Sequence, residues 1–325
     1  MSRLRCAVVG VGYLGRFHAQ KYKQIEETEL IGVCDASPER AKVVADELGV
    51  PVFNDYKDLI GKVDAVTIAS TTRTHYEISK FFLQNGVHVN VEKPMTVTIE
   101  EAQELVSLSK SKKLKLQVGH VERFNPALQA AQEKLNTPLF IECHRLAPFK
   151  PRGVDVDVIL DLMIHDIDVI MSLVKSPVKS VSAVGTPVLT KIVDIANARI
   201  EFESGTVANI TASRVSQTAT RKFRVFQQQQ YLSIDFGAGE VSLTTKTGEW
   251  KDDHVPLDFE QWSLEKADAL LAETKAFVNA IRTGGNVVVT GDDGLNAMRV
   301  ATQIQKEIYD RLERSNSAAG AGAKA

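Results

Sequence analysis

The feature that most constrains the fold is Gly10-Val-Gly12-Tyr-Leu-Gly15, set directly behind the apolar run Cys6-Ala-Val-Val and directly before an amphipathic segment. A strand that ends on a glycine-rich turn and feeds a helix is the context in which a G-x-G-x-x-G string carries meaning. Gly10 permits the tight turn, Gly12 lets backbone approach a pyrophosphate, and Gly15 lets helix pack on strand. The helix start at Tyr13 and Leu14 offers amide donors and a positive dipole end to phosphate. Asp35, about twenty residues beyond Gly15, is placed to accept hydrogen bonds from an adenosine ribose and to repel a 2′-phosphate, which favours NAD over NADP. Arg40, on the helix that follows, reads as solvent-facing, with reach to a phosphate as the other reading.

The alternation continues. Apolar runs at residues 5–9, 30–34, 65–69, 88–91 and 115–118 alternate with helical patterns beginning near Tyr13, Pro38, His75 and Ile99. This is how parallel strands with crossover helices read. Right-handed crossovers make it an α/β doubly wound sheet, with ligand at the carboxyl ends of the strands. Beyond residue 119 the pattern changes: a helix over 126–135, a strand over 140–146, a Pro-rich loop and a helix over 156–173. Residues 178–255 alternate apolar and polar side chains between Gly-containing turns, which predicts a largely antiparallel or mixed sheet. Helices over 264–282 and 292–314 follow, and the small-residue tail 315–325 is expected to be disordered. A chain of 325 residues suits two domains, expected at 1–119 and 120–314.

Charge narrows the ligand. With 39 basic and 41 acidic side chains, nothing suggests a nucleic acid or an anionic membrane held by bulk charge. An anionic ligand must therefore meet local groups. Three cysteines, Cys6, Cys34 and Cys143, lie far apart with no CxxC spacing, which argues against disulfides and structural zinc. Cys6 and Cys34 read as small buried hydrophobes. No apolar stretch approaches the roughly 20 residues of a membrane span, and no leader cleavage site is visible. The expectation is a soluble cytoplasmic protein.

Further clusters fall on the same strand ends. Glu92-Lys93-Pro94 follows the fourth strand, where an X-Pro bond can be cis. Ser70-Thr71-Thr72-Arg73-Thr74-His75 ends the third, supplying either helix caps or cofactor contacts. Asp161, His165 and Asp168 fall at i, i+4 and i+7 on one helix face, as a solvated acidic face, a metal site or a catalytic stripe. Arg123 and Asn125 follow the fifth strand, to cap the next helix or to face a substrate. Arg145, Lys150, Arg152 and Arg214 come later. Scattered arginines are ordinary surface, whereas several converging on one cleft would clamp a pyrophosphate or carboxylate.

The glycine turn, the Thr71 to His75 segment, Glu92-Lys93-Pro94 and Asp161-x-x-x-His165, in this order, resemble the Gfo/Idh/MocA oxidoreductase family, over the chain up to about residue 314. The resemblance implies a Rossmann domain, then an open mixed sheet serving substrate binding and oligomerisation, and a tightly held nicotinamide cofactor. It implies cofactor contacts from Gly10, Gly12, Tyr13, Leu14, Gly15, Asp35, Ser70, Thr71, Thr74, His75, Glu92 and Lys93, and no metal. Lys93 and His165 are the implied catalytic pair, either able to take the hydroxyl proton, His165 with a reference pKa near 6.5. Asp161 orients His165 or holds a sugar hydroxyl. Residues 118–126 and 152–168 are similar to the branch acting on UDP-N-acetylglucosamine. That implies C3 oxidation with NAD to UDP-2-acetamido-3-keto-glucose, later aminated by an aminotransferase for a diamino form of lipid A. Arg123, Asn125, Arg145, Arg152, Asp161, His165 and Arg214 are the expected substrate contacts. A UDP-N-acetylglucosaminuronate 3-dehydrogenase and a free-sugar or inositol dehydrogenase stand as alternatives. A catalytically silent nucleotide sensor is the reading from another class, against which both Lys93 and His165 are retained. A homodimer or homotetramer is expected. The run Gln227 to Gln230 reads as a hairpin turn, although that branch suggests a charged, Gly-containing one.

Overall fold

The computed structural model describes residues 2–150, 156–251, 253–265 and 267–322, the side chains of 316–322 excepted. It divides into two compact units, Met1–Phe124 with Asp268–Met298, and Asn125–Ala267 with Arg299–Ala325.

The first unit is a parallel sheet of β1 (Leu4–Val9), β2 (Thr28–Cys34), β3 (Val52–Phe53), β4 (Ala65–Ile68), β5 (His88–Glu92) and β6 (Leu116–Gly119), in the order β3-β2-β1-β4-β5-β6. Its crossover helices are α1 (Tyr13–Gln24), α2 (Pro38–Leu48), α3 (Thr72–Gln84) and α4 (Ile99–Lys112). Local chemistry sets their starts. Ser37 accepts from the Arg40 N–H with Pro38 in the first turn, and Thr98 and Glu101 form a reciprocal capping box. Strand order reverses between β1 and β4, the switch point at which such sheets bind ligand. The two-residue β3 is too short to leave a periodic signal in the sequence.

Residues 268–298 belong here and not to the second domain as the sequence boundary had it. The reason is an apolar stripe: Phe277, Val278 and Ala280 of α7 (Ala269–Thr283) share one buried cluster with Cys6, Val8, Ala19 and Tyr22. Burying such a stripe outweighs chain order in deciding where a helix docks.

The second unit begins with α5 (Pro126–Gln132) and β7 (Phe140–Leu146), and α6 (Ile164–Leu173) follows. Its strands β8 (Val178–Thr186), β9 (Ile195–Phe202), β10 (Val207–Ser213), β11 (Thr220–Gln227), β12 (Gln230–Asp235), β13 (Glu240–Lys246) and β14 (Leu257–Ser263) join β7 in one sheet, β14-β13-β12-β11-β7-β10-β9-β8. Only β7 and β10 run parallel; the other neighbours are antiparallel. The mainly antiparallel mixed sheet is therefore as expected. β14 extends it past residue 255, unforeseen because Leu257 and Phe259 on it are exposed. The glutamine run does make a hairpin, with Gln227 opposite Gln230 and Gln229 at φ 61°, a position usually given to Gly or Asn.

The last helix, α8 (Gly291–Gly322), continues past Ser315, where the sequence reading placed a disordered tail. Alanine-rich sequence has high helix propensity, and nothing before Gly320 breaks the run. Residues 323–325 lie outside the described residues.

Candidate active site

In the first unit the three glycines differ in what requires them. Gly10 has φ +84°, and a Cβ there would meet Ser70 N at 2.4 Å; a Cβ on Gly15 would lie 1.7 Å from the Gly10 carbonyl oxygen. Protein atoms alone force both to be glycine. Gly12 is different: it has no positive φ, and the nearest atom to an added Cβ is Arg40 Nη1 at 3.6 Å. The fold leaves open space over Gly12, as a pyrophosphate lying on the turn requires. Gly12 also N-caps α1 with no side-chain cap, and no acid lies in the first turn. A dinucleotide cofactor fits these residues.

Asp35 stands beside the turn with its carboxylate anchored. Oδ2 accepts from the Val11 N–H at 2.7 Å and Oδ1 from the Ser37 N–H at 2.8 Å, which fixes a negative charge at the end of β2. Arg40 Nη1 lies 3.7 Å from that carboxylate. It is exposed, as expected, with its guanidinium reaching toward the glycine turn.

Two segments meet behind Lys93. His75, buried at the start of α3, sets Nδ1 3.0 Å from the Pro94 carbonyl oxygen and Nε2 3.1 Å from that of Ser70. It ties the end of β4 to the turn after β5, and burial pushes its pKa down despite both carbonyls. The structure thus gives His75 a supporting place and not an open cofactor-facing one, because the ring is buried between these two carbonyls and its single N–H donates to one of them. Ser70 and Thr74 join hydroxyls at 2.8 Å, and Thr74 donates to the Thr71 carbonyl; Thr71 opens α3 without a side-chain cap bond. The Lys93–Pro94 bond is cis. Glu92 is buried, its Oε1 2.8 Å from His18 Nε2 and its Oε2 accepting the Lys93 N–H at 3.2 Å. It is a structural neighbour of Lys93 and not an exposed contact. Lys93 is half-buried. Arg123 is largely buried, 3.7 Å from Asp293.

In the second unit Asp161 sits in a π-helical turn, Ile159–Met163, immediately before α6. The Ile164 N–H reaches the Ile159 carbonyl, five residues back, and such widened turns recur at functional sites. Asp157 caps it, accepting from the Ile159 and Leu160 N–H groups at 3.2 and 3.1 Å, while Gln305 donates to its other oxygen at 2.7 Å. Asp161 and His165 are half-buried, whereas Asp168 is 1% exposed and Asp166 2%. The predicted three-residue stripe thus reduces to Asp161 and His165, with Asp168 turned into the core. Among the described residues no group of three or more His, Cys, Asp or Glu is placed to hold a metal.

The expected arginine clamp takes another form. Arg145 binds Asp166 through two bonds of 2.9 Å, both side chains about 95% buried. Arg214 donates from Nε to Asp194 at 2.8 Å, from Nη1 to the Val156 carbonyl at 2.8 Å and from Nη2 to Thr190 at 3.2 Å. Burial works to raise the Asp194 pKa, but the N–H groups of Val188, Leu189 and Thr190 with the Arg214 fork hold it well below the usual range. These forks brace the chain around the Asp161 turn, since a buried guanidinium needs a carboxylate first. Asn125 N-caps α5, accepting from Ala127 at 3.0 Å. Lys150 is exposed, and Arg152 lies outside the described residues.

Removing one side of such a pair leaves a buried charge. Arg145→Met is expected to lower stability by about 3 kcal/mol, read as a fall in urea midpoint at unchanged m-value. A joint Arg145→Met, Asp166→Leu variant should recover much of it. An unchanged midpoint in the single variant would show that the pair contributes nothing.

A dinucleotide turn at a switch point, with a lysine in a supported turn at the end of β5 two strands along, defines a nicotinamide-dependent oxidoreductase. Comparison with known proteins agrees. Residues 4–120 match the model described as the oxidoreductase family, NAD-binding Rossmann fold, and residues 137–233 match the GFO/IDH/MocA C-terminal domain. The chain belongs to the Gfo/Idh/MocA oxidoreductase family. It is 39% identical to the UDP-N-acetylglucosamine 3-dehydrogenase of Acidithiobacillus ferrooxidans, over 97% of this chain and 100% of that one. A solved structure of that enzyme superposes with TM-score 0.90, covering 95% of this chain and 98% of that chain. The myo-inositol 2-dehydrogenase of Thermotoga maritima is 25% identical over 95% of this chain and 97% of its own length.

The sequence reading missed His18, Asp157, Asp194 and Glu273. For Glu273 a signal existed: it falls between Leu270 and Phe277 on the apolar stripe of α7, where a carboxylate has no ordinary reason to be.

Proposed function

We propose that this chain oxidises the C3 hydroxyl of UDP-N-acetylglucosamine, with NAD, to UDP-2-acetamido-3-keto-glucose. The observation that carries this reading is the full-length similarity to the A. ferrooxidans enzyme, at 39% identity against 25% for the inositol enzyme. The glycine turn and the start of α1 hold the cofactor's pyrophosphate, Arg40 standing at its edge. Asp35 receives the adenosine ribose. When bound, the cofactor supplies the hydride acceptor. Lys93 and His165 handle the proton released from the sugar hydroxyl, one as base and the other as hydrogen-bond donor to the same oxygen. Asp161 orients His165 or holds a neighbouring hydroxyl. A 3-keto product is a substrate for an aminotransferase, which places an amination after this step. The exposed Leu257 and Phe259 on β14 support a homodimer or homotetramer; a monomer by light scattering would overturn that.

The test is to mix protein, NAD and a panel of UDP-sugars, free sugars and inositol, and to follow NADH absorbance, in single turnover if the product stays bound. Turnover confined to UDP-N-acetylglucosamine supports the reading. Turnover of UDP-N-acetylglucosaminuronate or inositol alone transfers it to those substrates, and no turnover with any UDP-sugar sinks it. Cofactor choice follows from Asp35. NADP should bind at least tenfold more weakly than NAD, because its 2′-phosphate meets a fixed carboxylate, and Asp35→Ser should narrow that ratio. Equal affinities in the wild-type protein, measured by fluorescence titration, would remove Asp35 as the discriminator.

A further inference from the structure

The mechanism leaves one buried cluster unused. On the face of the first sheet under α1 and α7 lie His18, Tyr22, Thr67, Asn90, Glu92, Gln117 and Glu273, all buried. Tyr22 and Thr67 share a hydrogen bond of 2.8 Å, and Asn90 Nδ2 approaches Thr67 Oγ1 at 3.5 Å and Glu273 Oε1 at 3.4 Å. Gln117 Nε2 donates to the Asn90 side chain and to the Glu273 carbonyl. Three polar atoms in this layer have no hydrogen-bond partner: His18 Nδ1, Gln117 Oε1 and Glu273 Oε2. Two carboxyl groups and one imidazole, shut away from water, cannot all carry charge at low cost.

The geometry points to Glu273 and His18 as positioning residues for Lys93: Asn90 and Gln117 tie Glu273 into the buried layer that His18 shares, His18 pairs with Glu92, and Glu92 in turn holds the Lys93 N–H. This rests on the role proposed for Lys93. The state of the layer follows from its charges. Burial pushes the Glu273 carboxyl up to about 8, His18 pulling it down and Glu92 pushing it further up. Burial opposes the His18 imidazolium, but the bond to Glu92 and the charge of Glu92 raise its pKa above the ordinary value, and Glu273 raises it further once ionised. Burial raises Glu92 as well, yet His18 and then Lys93 bring it below the usual carboxylate range. Other charged groups on the elements packed here are Lys21 of α1, paired with Asp268 at 2.6 Å, and Glu122 and Arg123 of the turn after β6. Below about pH 8 the layer therefore holds Glu273 as a carboxylic acid beside the hydrogen-bonded His18 and Glu92. When Glu273 loses its proton, a second buried negative charge acts on His18 and favours its imidazolium, and with it the bond to the carboxylate that holds the Lys93 N–H.

Glu273→Gln keeps the shape and removes the titration. Its activity at pH 6.5 should stay within about threefold of wild type, and an inflection near pH 8 in the wild-type kcat/KM profile should be missing from it. Stability provides a second reading. A carboxyl whose folded pKa is raised contributes stability that is full below its unfolded pKa and lost as pH rises to about 8. The melting advantage of Glu273→Gln over wild type should accordingly open between pH 5 and 8. Infrared spectra of the wild-type protein should also show a protonated carboxyl band disappearing near pH 8, whether or not the variant folds. A wild type without that band, or a melting difference independent of pH, overturns the neutral Glu273. The same inflection near pH 8 in both profiles overturns its coupling to Lys93. If no sugar nucleotide is turned over, the dehydrogenase reading fails, while melting and infrared still decide the state of Glu273.

Discussion

Lys93→Ala is expected to lower kcat for the proposed sugar oxidation by roughly 10²–10⁴-fold, the range usual for losing a positioned proton-transfer group. KM and cofactor affinity should change by less than about tenfold. The expectation follows from how Lys93 is held. Its amide is fixed by Glu92, the next carbonyl faces His75, and the side chain is half-buried, so truncation removes a functional group without opening a core cavity. His165→Ala should cost a similar factor, because it too is half-buried, on the first turn of α6. Residues acting on one proton are not additive. The double variant should lie within about tenfold of the worse single one. Both single variants retaining wild-type kcat would remove the proposed chemistry, and full additivity would mean that the two residues act in separate steps.

The glycine turn yields the second large effect, and a contrast within three residues of each other. Gly15→Ala places a Cβ 1.7 Å from the Gly10 carbonyl oxygen. Backbone faces backbone there, so strand and helix must separate, and the loss is expected to reach roughly 4 kcal/mol or more. Gly12→Ala meets nothing closer than 3.6 Å. Its melting temperature should stay within a degree or two of wild type, while NAD affinity falls by roughly ten- to a hundredfold, because the methyl occupies the space the pyrophosphate needs. Calorimetry and fluorescence titration separate the two cases. A Gly12→Ala protein that binds NAD normally would show that the cofactor does not lie on the turn.

Much of the fold was legible because it rests on short-range rules. The strand before Gly10, the Ser37-Pro38 start of α2 and the alternation through β9 and β10 each declare themselves within a few residues. The glycine turn, Asp35 and Glu92-Lys93-Pro94 likewise fall at strand ends, and in a doubly wound sheet all strand ends point the same way. The arginines and acids were not legible in this sense. Arg145 and Arg214 read as a clamp for an anionic ligand, and the structure turns both inward onto Asp166 and Asp194. A guanidinium's partner is set by which carboxylate the fold brings to it, and no local pattern encodes that.

The sequence by itself determined the order of elements, the dinucleotide turn and the family, since these depend on periodicity, on glycine's missing side chain and on motif order. Tertiary structure alone decided that α7 returns to the first unit and that Asp168 leaves the exposed stripe. It also decided that Glu273, 181 positions after Glu92 in the chain, enters the same buried layer as His18. Burial is the physical reason. Hydrophobic surface brings distant segments together without regard to sequence separation, and a polar group carried inward with them must then find its partner, or keep its proton, in whatever surroundings it meets.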